Sequence, residues 1–465
     1  MVGVDTTFVL HSKIVRIVAP VKHIPRPLSE EVMFLRVLAL AILAVFVCPT
    51  LARPSPWTED KALRDATVRG AVPKTIPHYT LNLDLPPQDR WTHIASLPQY
   101  ANAAEEIQAY LSSQVPRWLV PLIKTIGKDV VPYFGSELGL EMQGLAKALK
   151  MDVGNLVAIN LIMQLEHIGV NCSDWNNTGP TRPNDPGCVD VDPQQEWCYC
   201  HKKANVHRLF STSVLKEAYG AAVEGPGMCT SVVVENPEGA IYHGRNLDWN
   251  IPVVLRKMVC DVDYQRGNAT VFTGTTVVGF VGVVNGMKKG VFSASIDARG
   301  KGGKILANLL QALLHKSKTP AQHLRAVLSD ANADTFANAV KLLSTGHQID
   351  MNYFIVGGTK TGEGAVISRD RNKAADVWYM NNSNPVNGWW RLETNYDHWD
   401  PVPKADDRRT PGNANVAKMG QAGIGTDGSG LFKGVMTLWP TFNHHTDYTG
   451  IFSAAHGVYT STVWE

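Results

Sequence analysis

Residue 228 divides this chain into two kinds of sequence. Before it, Glu224-Gly225-Pro226-Gly227-Met228 is broken by glycine and proline. After it, Cys229-Thr230-Ser231-Val232-Val233-Val234-Glu235 reads as a strand, and Asn236-Pro237-Glu238-Gly239 turns the chain into Ala240-Ile241-Tyr242-His243, a hairpin signal. A cysteine heading a strand behind a segment open to cutting has a particular chemical prospect. Breaking the Met228–Cys229 bond would free its α-amine. Thiol nucleophile and amine base would then sit on one residue.

Beyond this hairpin, β-rich runs at 270–284 and 291–296 precede helical runs at 304–315, 320–328 and 334–343. A second hairpin follows at 353–356 and 365–368. Strands, helices and strands again predict an α+β architecture of two sheets with helices packed outside. The stretch 101–167 reads as helical. Within it Trp118, Leu119, Leu122, Ile123, Ile126, Val130, Val131 and Phe134 recur at helical spacing, with Arg117, Lys124 and Lys128 interleaved. Such a helix either faces a core or lies on a lipid surface. Residues 168–228 read as a long loop.

At the other end, Met33-Phe34-Leu35-Arg36, an apolar run over 37–47 and Cys48-Pro49-Thr50-Leu51-Ala52 fit a secretory signal too short for a comfortable membrane span. Either translation starts at Met33 or the leading region is unusually long. The expected organisation is therefore 1–52 as extension and signal, 53–228 as a helical α part with a Cys-rich linker, and 229–465 as a β part. Cys172, Cys188, Cys198 and Cys200 cluster in the linker, and in an oxidising compartment they imply two disulfides with three possible pairings. A zinc site on Cys198, Cys200 and His201 is the sharper alternative, but its spacing fits no standard motif. Asn171, Asn176, Asn268 and Asn381 each open a glycosylation sequon.

Composition excludes little beyond nucleic acid, for which a net charge of +2 gives no footprint. Gly423-Ile424-Gly425-Thr426-Asp427-Gly428 matches a dinucleotide fingerprint by letter but is expected to be a loop, with no strand before it and no helix after it. Gly357-Gly358-Thr359-Lys360-Thr361-Gly362 lacks the Lys-Ser/Thr ending of a phosphate loop, and His444-His445 with Asp447 is too compact for a metal site. No cofactor or metal is expected.

The remaining chemistry gathers around Cys229. In His243-Gly244-Arg245-Asn246-Leu247-Asp248, Arg245 and Asp248 can reach back across the hairpin. An arginine there favours the thiolate, and an aspartate orients the new α-amine. Taken alone, Arg-x-x-Asp is mostly a surface pair of little worth. Further on, Asn395 in Thr394-Asn395-Tyr396-Asp397-His398-Trp399 offers an amide donor for an oxyanion, and Arg408 follows in Asp406-Asp407-Arg408-Arg409-Thr410.

The order Cys229, Arg245, Asp248, Asn395, Arg408 resembles the cysteine N-terminal-nucleophile hydrolases of the acid ceramidase group. Cys229-Thr230-Ser231, Val271-Phe272-Thr273-Gly274-Thr275-Thr276 and Ile355-Val356-Gly357-Gly358-Thr359 extend the resemblance over most of 75–415. It implies an αββα sandwich for the β part, with the helical α part packed on it. It further implies a lysosomal precursor that cuts itself before Cys229 and remains an α/β heterodimer. The reaction implied is hydrolysis of a fatty-acid amide, such as N-palmitoylethanolamine, with contact to a membrane or micelle surface through amphipathic helices. Ceramide is the rival substrate, and a non-catalytic lipid-binding homologue is the reading from another class. Three departures stand out: Asp297-Ala298-Arg299 where the group commonly has Asp-Glu-Arg, a Cys-rich stretch before Cys229 longer than the usual linker, and a glycine-rich tail after about Lys418.

Overall fold

The computed structural model describes residues 5–10, 13–18, 71–114, 131, 136–165, 228–248, 256–299, 318–381, 383–384, 386–403, 406–443 and 445–464. The signal, the helix expected around 118–134 (apart from a buried Val131), the four linker cysteines, the sequons at Asn171 and Asn176 and the 304–315 helix lie outside these. Residues 1–39 form one compact unit, in which β1 (Asp5–Leu10) and β2 (Lys13–Val18) pair antiparallel.

The second unit, 40–465, holds everything else. Its upstream part contributes β3 (Pro73–Thr75), β4 (His78–Asn82), α1 (Ala103–Gln114), α2 (Ser136–Ala148) and α3 (Val153–Leu165). The part from 228 begins with β5 (Met228–Glu235), β6 (Ile241–Asp248), β7 (Val259–Arg266), β8 (Ala269–Val277), β9 (Asn285–Lys288) and β10 (Phe292–Ala298). It continues with α4 (Pro320–Ser329), α5 (Phe336–Ser344), β11 (Asn352–Gly357), β12 (Gly364–Arg369), β13 (Ala374–Tyr379) and β14 (Trp390–Glu393). Last come α6 (Arg409–Met419), β15 (Thr446–Ser453) and β16 (Val458–Trp464). The strands form an eight-stranded sheet, β13-β12-β11-β10-β9-β8-β7-β4, and a six-stranded sheet, β14-β5-β6-β15-β16-β3.

Local chemistry accounts for the elements nearest the site. Gly239, at φ +81, closes the β5–β6 turn where a side chain would be strained. Thr319 and Gln322 exchange hydrogen bonds as a capping box and Pro320 opens the first turn, which fixes the start of α4. The run expected over 270–284 is interrupted: β8 ends at Val277, and Gly279 at φ +105 turns the chain before β9.

Alternation along β5 and β6 sends two sets of side chains to opposite faces. Val232, Val234 and Tyr242 join Leu392, Val416, Ile424, Leu431, Val435 and Met436 in an apolar cluster on one face. α6 and the helical turns after it cover that face. Gly244 lets them approach, since a Cβ there would lie 2.9 Å from Met436 Sδ. Val233 and Ile241 point the other way, to Tyr353, Ile355 and Val366 of the second sheet. On the far side of that sheet, α4 sets His323 against Phe354 at 5.9 Å between ring centres. The layers run helix, sheet, sheet, helix.

The upstream part completes both sheets at an edge. β4 pairs parallel with β7, and β3 pairs with β16. A buried ion cluster ties it further: Glu141 of α2 accepts from Arg325 of α4 at 2.7 Å, from Arg90 at 2.8 Å and from the Trp91 indole at 3.1 Å. Asn160 of α3 bridges the β8–β9 turn, donating to Gly279 O and accepting from Val281 N.

Candidate active site

Cys229 is buried at the end of β5, paired across from Leu247. Each of its polar atoms is held by a different residue. Its thiol receives Arg245 Nη2 at 3.5 Å, its backbone N–H donates to Asn395 Oδ1 at 3.0 Å, and its carbonyl accepts from Arg408 Nη1 at 2.5 Å. All five residues expected from the sequence, Cys229, Arg245, Asp248, Asn395 and Arg408, thus converge, Asn395 half-buried and the other four buried. Arg408 also reaches Asn395 Oδ1 at 2.5 Å, Asp406 at 2.6 Å and Asp248 Oδ2 at 3.5 Å.

Two placements differ from the expectation. Arg245 and Asp248 are three residues apart on a strand, so they leave β6 on opposite faces. Arg245 joins the thiol between the sheets, whereas Asp248 lies on the helix-covered face. There it accepts from Asn443 Nδ2 at 2.9 Å and Thr446 Oγ1 at 2.7 Å, and its link to Cys229 runs through Arg408. Asn395 is also committed differently. Two donors, Cys229 N and Arg408, converge on one end of its amide and a carbonyl, Ala298 O at 2.8 Å, on the other, which fixes the amide's orientation. One hydrogen of its Nδ2 is therefore taken, and its oxygen holds the nitrogen that cleavage would turn into the α-amine.

The space between the sheets is strongly polar at this end. Ser231 Oγ donates to Asp297 Oδ1 at 2.7 Å and lies 3.0 Å from Ser295 Oγ, which in turn lies 3.0 Å from His243 Nε2. On the other side Arg245 Nη1 donates to Tyr448 Oη at 2.6 Å, and Tyr448 donates to Asn285 Oδ1. Asn285 Nδ2 continues to Thr275 Oγ1 at 2.9 Å, and Thr275 to Asp261 Oδ1 at 2.7 Å. Tyr448, Asn285 and Asp261 escape a reading of the sequence, because only the apposition of the two sheets brings them near Cys229. Tyr448 comes from the tail after Lys418.

Burial governs the titration of these groups. It pushes the Cys229 thiol up to about 12, with Arg245 pulling down and Asp297 and Asp248 pushing further up. It raises Asp297 to about 7 against Arg245, Ser231 and Arg408, and Asp248 to about 6 against Arg408, Thr446 and Asn443. His243 falls to about 3 through burial and the neighbouring Arg245 charge. For Arg245 itself burial pulls down, but Tyr448, Cys229 and Asp297 together keep its charge firmly in place. In the uncut chain the thiol is therefore protonated, and its activation requires a base.

The secondary motifs take ordinary places. Of the Gly423–Gly428 run expected to be a loop, Gly423 and Ile424 end a 3-10 turn, Gln421–Ile424, residues 425–428 are a loop, and a short helical turn, Ser429–Leu431, does follow. Asp447 pairs with Arg256 at 2.9 Å.

A fold of two sheets covered by helices agrees with the family comparisons. Residues 229–432 match the linear amide C–N hydrolases of the choloylglycine hydrolase family. The class is therefore an amide hydrolase of N-terminal-nucleophile architecture. Residues 74–134 match the family described as the beta subunit of N-acylethanolamine-hydrolyzing acid amidase, a label that falls on the part called α above. The N-acylethanolamine-hydrolyzing acid amidase of Rattus norvegicus is 31% identical over 397 residues, 85% of this chain and 90% of that protein. Human acid ceramidase is 26% identical over 441 residues, 90% of this chain and 94% of that one. A solved Caenorhabditis elegans N-acylethanolamine-hydrolyzing acid amidase ortholog is 30% identical, with a TM-score of 0.45, covering 50% of this chain and 99% of its own. The chain belongs to the N-acylethanolamine-hydrolyzing acid amidase family.

Proposed function

We propose that this chain is a precursor that cuts its own Met228–Cys229 bond and then hydrolyses N-acylethanolamines to fatty acid and ethanolamine. The observation that carries the reading is the threefold hold on Cys229, with Arg245 at the thiol, Asn395 at the nitrogen and Arg408 at the carbonyl. In the cut enzyme the Cys229 thiol passes its proton to its own α-amine and attacks the amide carbonyl, giving a thioester. The amine then protonates the leaving ethanolamine, and water releases the fatty acid. Arg245 favours the thiolate. Asn395 keeps the amine in reach, and the second hydrogen of its Nδ2, beside the one given to Ala298 O, can serve an oxyanion. Asp248 and Arg408 fix the main chain around the nucleophile.

The two products of the cut stay together through β3, β4 and the Glu141–Arg325 pair. An acidic compartment, the lysosome, suits a family of acid amidases. Sequons at exposed Asn268 and Asn381 agree with passage along the secretory route. The helical pattern around 118–134 is the candidate for contact with a lipid surface.

Human acid ceramidase, alignable over nearly the whole chain, makes ceramide the competing substrate. Hydrolysis of N-palmitoylethanolamine and of ceramide by the acid-treated protein separates the two. The ethanolamide should have the higher kcat/KM, and a preference for ceramide would overturn the substrate assignment.

A further inference from the structure

The α-amine that activates the thiol in the cut enzyme does not exist before the cut. While Cys229 is still an amide, some other group must take the thiol proton. Ala298, beside the cysteine, offers only its backbone.

Two carboxylates act on the Cys229 thiol, Asp297 more strongly than Asp248. Asp248 is poorly placed: it lies on the opposite face of β6 from Arg245, and Asn443, Thr446 and Arg408 occupy its oxygens. Asp297 is on the inner face of β10, beside Ser231, which shares its face of β5 with Cys229. Its Oδ1 is taken by Ser231, while its Oδ2 is fully buried with no hydrogen-bond partner. A bare carboxylate oxygen buried in a closed interior is costly and calls for a functional account.

The groups behind Asp297 are ordered to hold it. An ionised carboxylate only accepts, so the Ser231 proton points to Asp297. Ser231 Oγ then accepts from Ser295 and Ser295 Oγ from His243 Nε2–H. His243, kept neutral, can supply that proton, and its Nδ1 faces Ser293 Oγ at 3.2 Å. The charges facing Asp297 are Arg245 from β6 and Arg408 ahead of α6, with Asp248 and, from β14, Glu393 as like charges.

We propose that Asp297 is the proton acceptor for the Cys229 thiol in the self-cleavage step, held in place by the Ser231–Ser295–His243 chain. Asp297 takes the thiol proton and the sulfur electron pair bonds to the Met228 carbonyl carbon. As the C–N bond breaks, its electron pair goes to the Cys229 nitrogen, which recovers the proton from Asp297. The product is a Met228 thioester carrying a free α-amine. Water attacks this thioester, leaving its hydroxyl on Met228 as the carboxylic acid and returning a hydrogen to Sγ.

This inference rests on self-cleavage before Cys229, and the test separates the two. Cleavage of the purified precursor is followed by fragment mass from pH 5 to pH 8, the range over which Asp297 ionises, for the natural protein and for Asp297→Asn, which can still accept from Ser231. In parallel, a full-length chain with an engineered protease site before Cys229 is cut externally, with and without the same substitution. Cleavage should slow about 100-fold or more in Asp297→Asn, the usual size of a general-base effect. The externally cut variant should hydrolyse its amide substrate within about tenfold of its parent, because the α-amine now serves as base. Self-cleavage at the natural rate, or equal losses in cleavage and in external-cut hydrolysis, would overturn the assignment. Should Asp297→Asn fail to fold, Ser231→Ala decides: cleavage about tenfold slower supports the relay, and an unchanged rate rejects it. If the natural precursor never cuts at Cys229, the functional reading fails and takes this one with it.

Discussion

The two faces of β5 and β6 treat the same cysteine differently. On the face toward the second sheet, the thiol meets Arg245, whose Nε has no partner, and feels the charge of Asp297, whose Oδ2 has none either. The main chain of Cys229, by contrast, meets Arg408, anchored through Asp406 and Asp248, and Asn395, which also reaches Ala298 O of the second sheet. One side is left with unmatched polarity, where protons and charge can move. The groups that hold the main chain are themselves paired, as a frame requires. The chemistry lies between the sheets, and the frame reaches Cys229 from the helix-covered face through Arg408 and from the end of the sheets through Asn395.

Disturbing the frame should have the largest effect. Arg408→Met would leave Asp248 and Asp406 without their cation, and removing one partner of a buried pair costs about 3–5 kcal/mol. A large drop in denaturation midpoint together with loss of cleavage is expected. An unchanged midpoint would show that Arg408 is not the frame's anchor.

The reacting side should instead show its strain in pH dependence. Burial raises Asp297 to about 7, so its ionised form is disfavoured in the folded chain. The penalty is absent below the ordinary carboxylate range, grows as pH rises, and is complete above about 7. Asp297→Asn removes it. The stability of that variant relative to the natural protein should therefore improve between pH 5 and pH 8, readable as a difference in melting temperature. A difference that stays constant or narrows would contradict the shift.

The smallest effect belongs to the support behind Arg245. Tyr448→Phe removes the hydroxyl between Arg245 and Asn285 and should cost about 1–3 kcal/mol. Hydrolysis should fall in kcat with little change in KM, and a loss confined to KM would place Tyr448 in substrate binding instead.

The same division explains what the sequence made legible. Both hairpins with local turns, β5–β6 and β11–β12, were readable, as were α4 and α5, because turn residues and periodicity lie within a short window. Strands β7, β15 and β16 were not. Their inward positions include Asp261, Tyr448, Tyr459 and Ser461, which serve a polar layer between the sheets and so defeat the usual alternation of apolar and polar residues. The five site residues stood out by order and by motif. Asp297 was visible only as the neighbour of Ala298, and its open oxygen appears only once β10 is laid against β5.

The most direct test of the central claim is the mass and N-terminal sequence of the fragments formed when the purified precursor is held at acid pH. The downstream fragment should begin at Cys229, with amide hydrolysis rising as it accumulates, and Cys229→Ala should yield neither. A precursor that stays whole while hydrolysing its substrate, or a fragment that begins at another residue, would contradict the account.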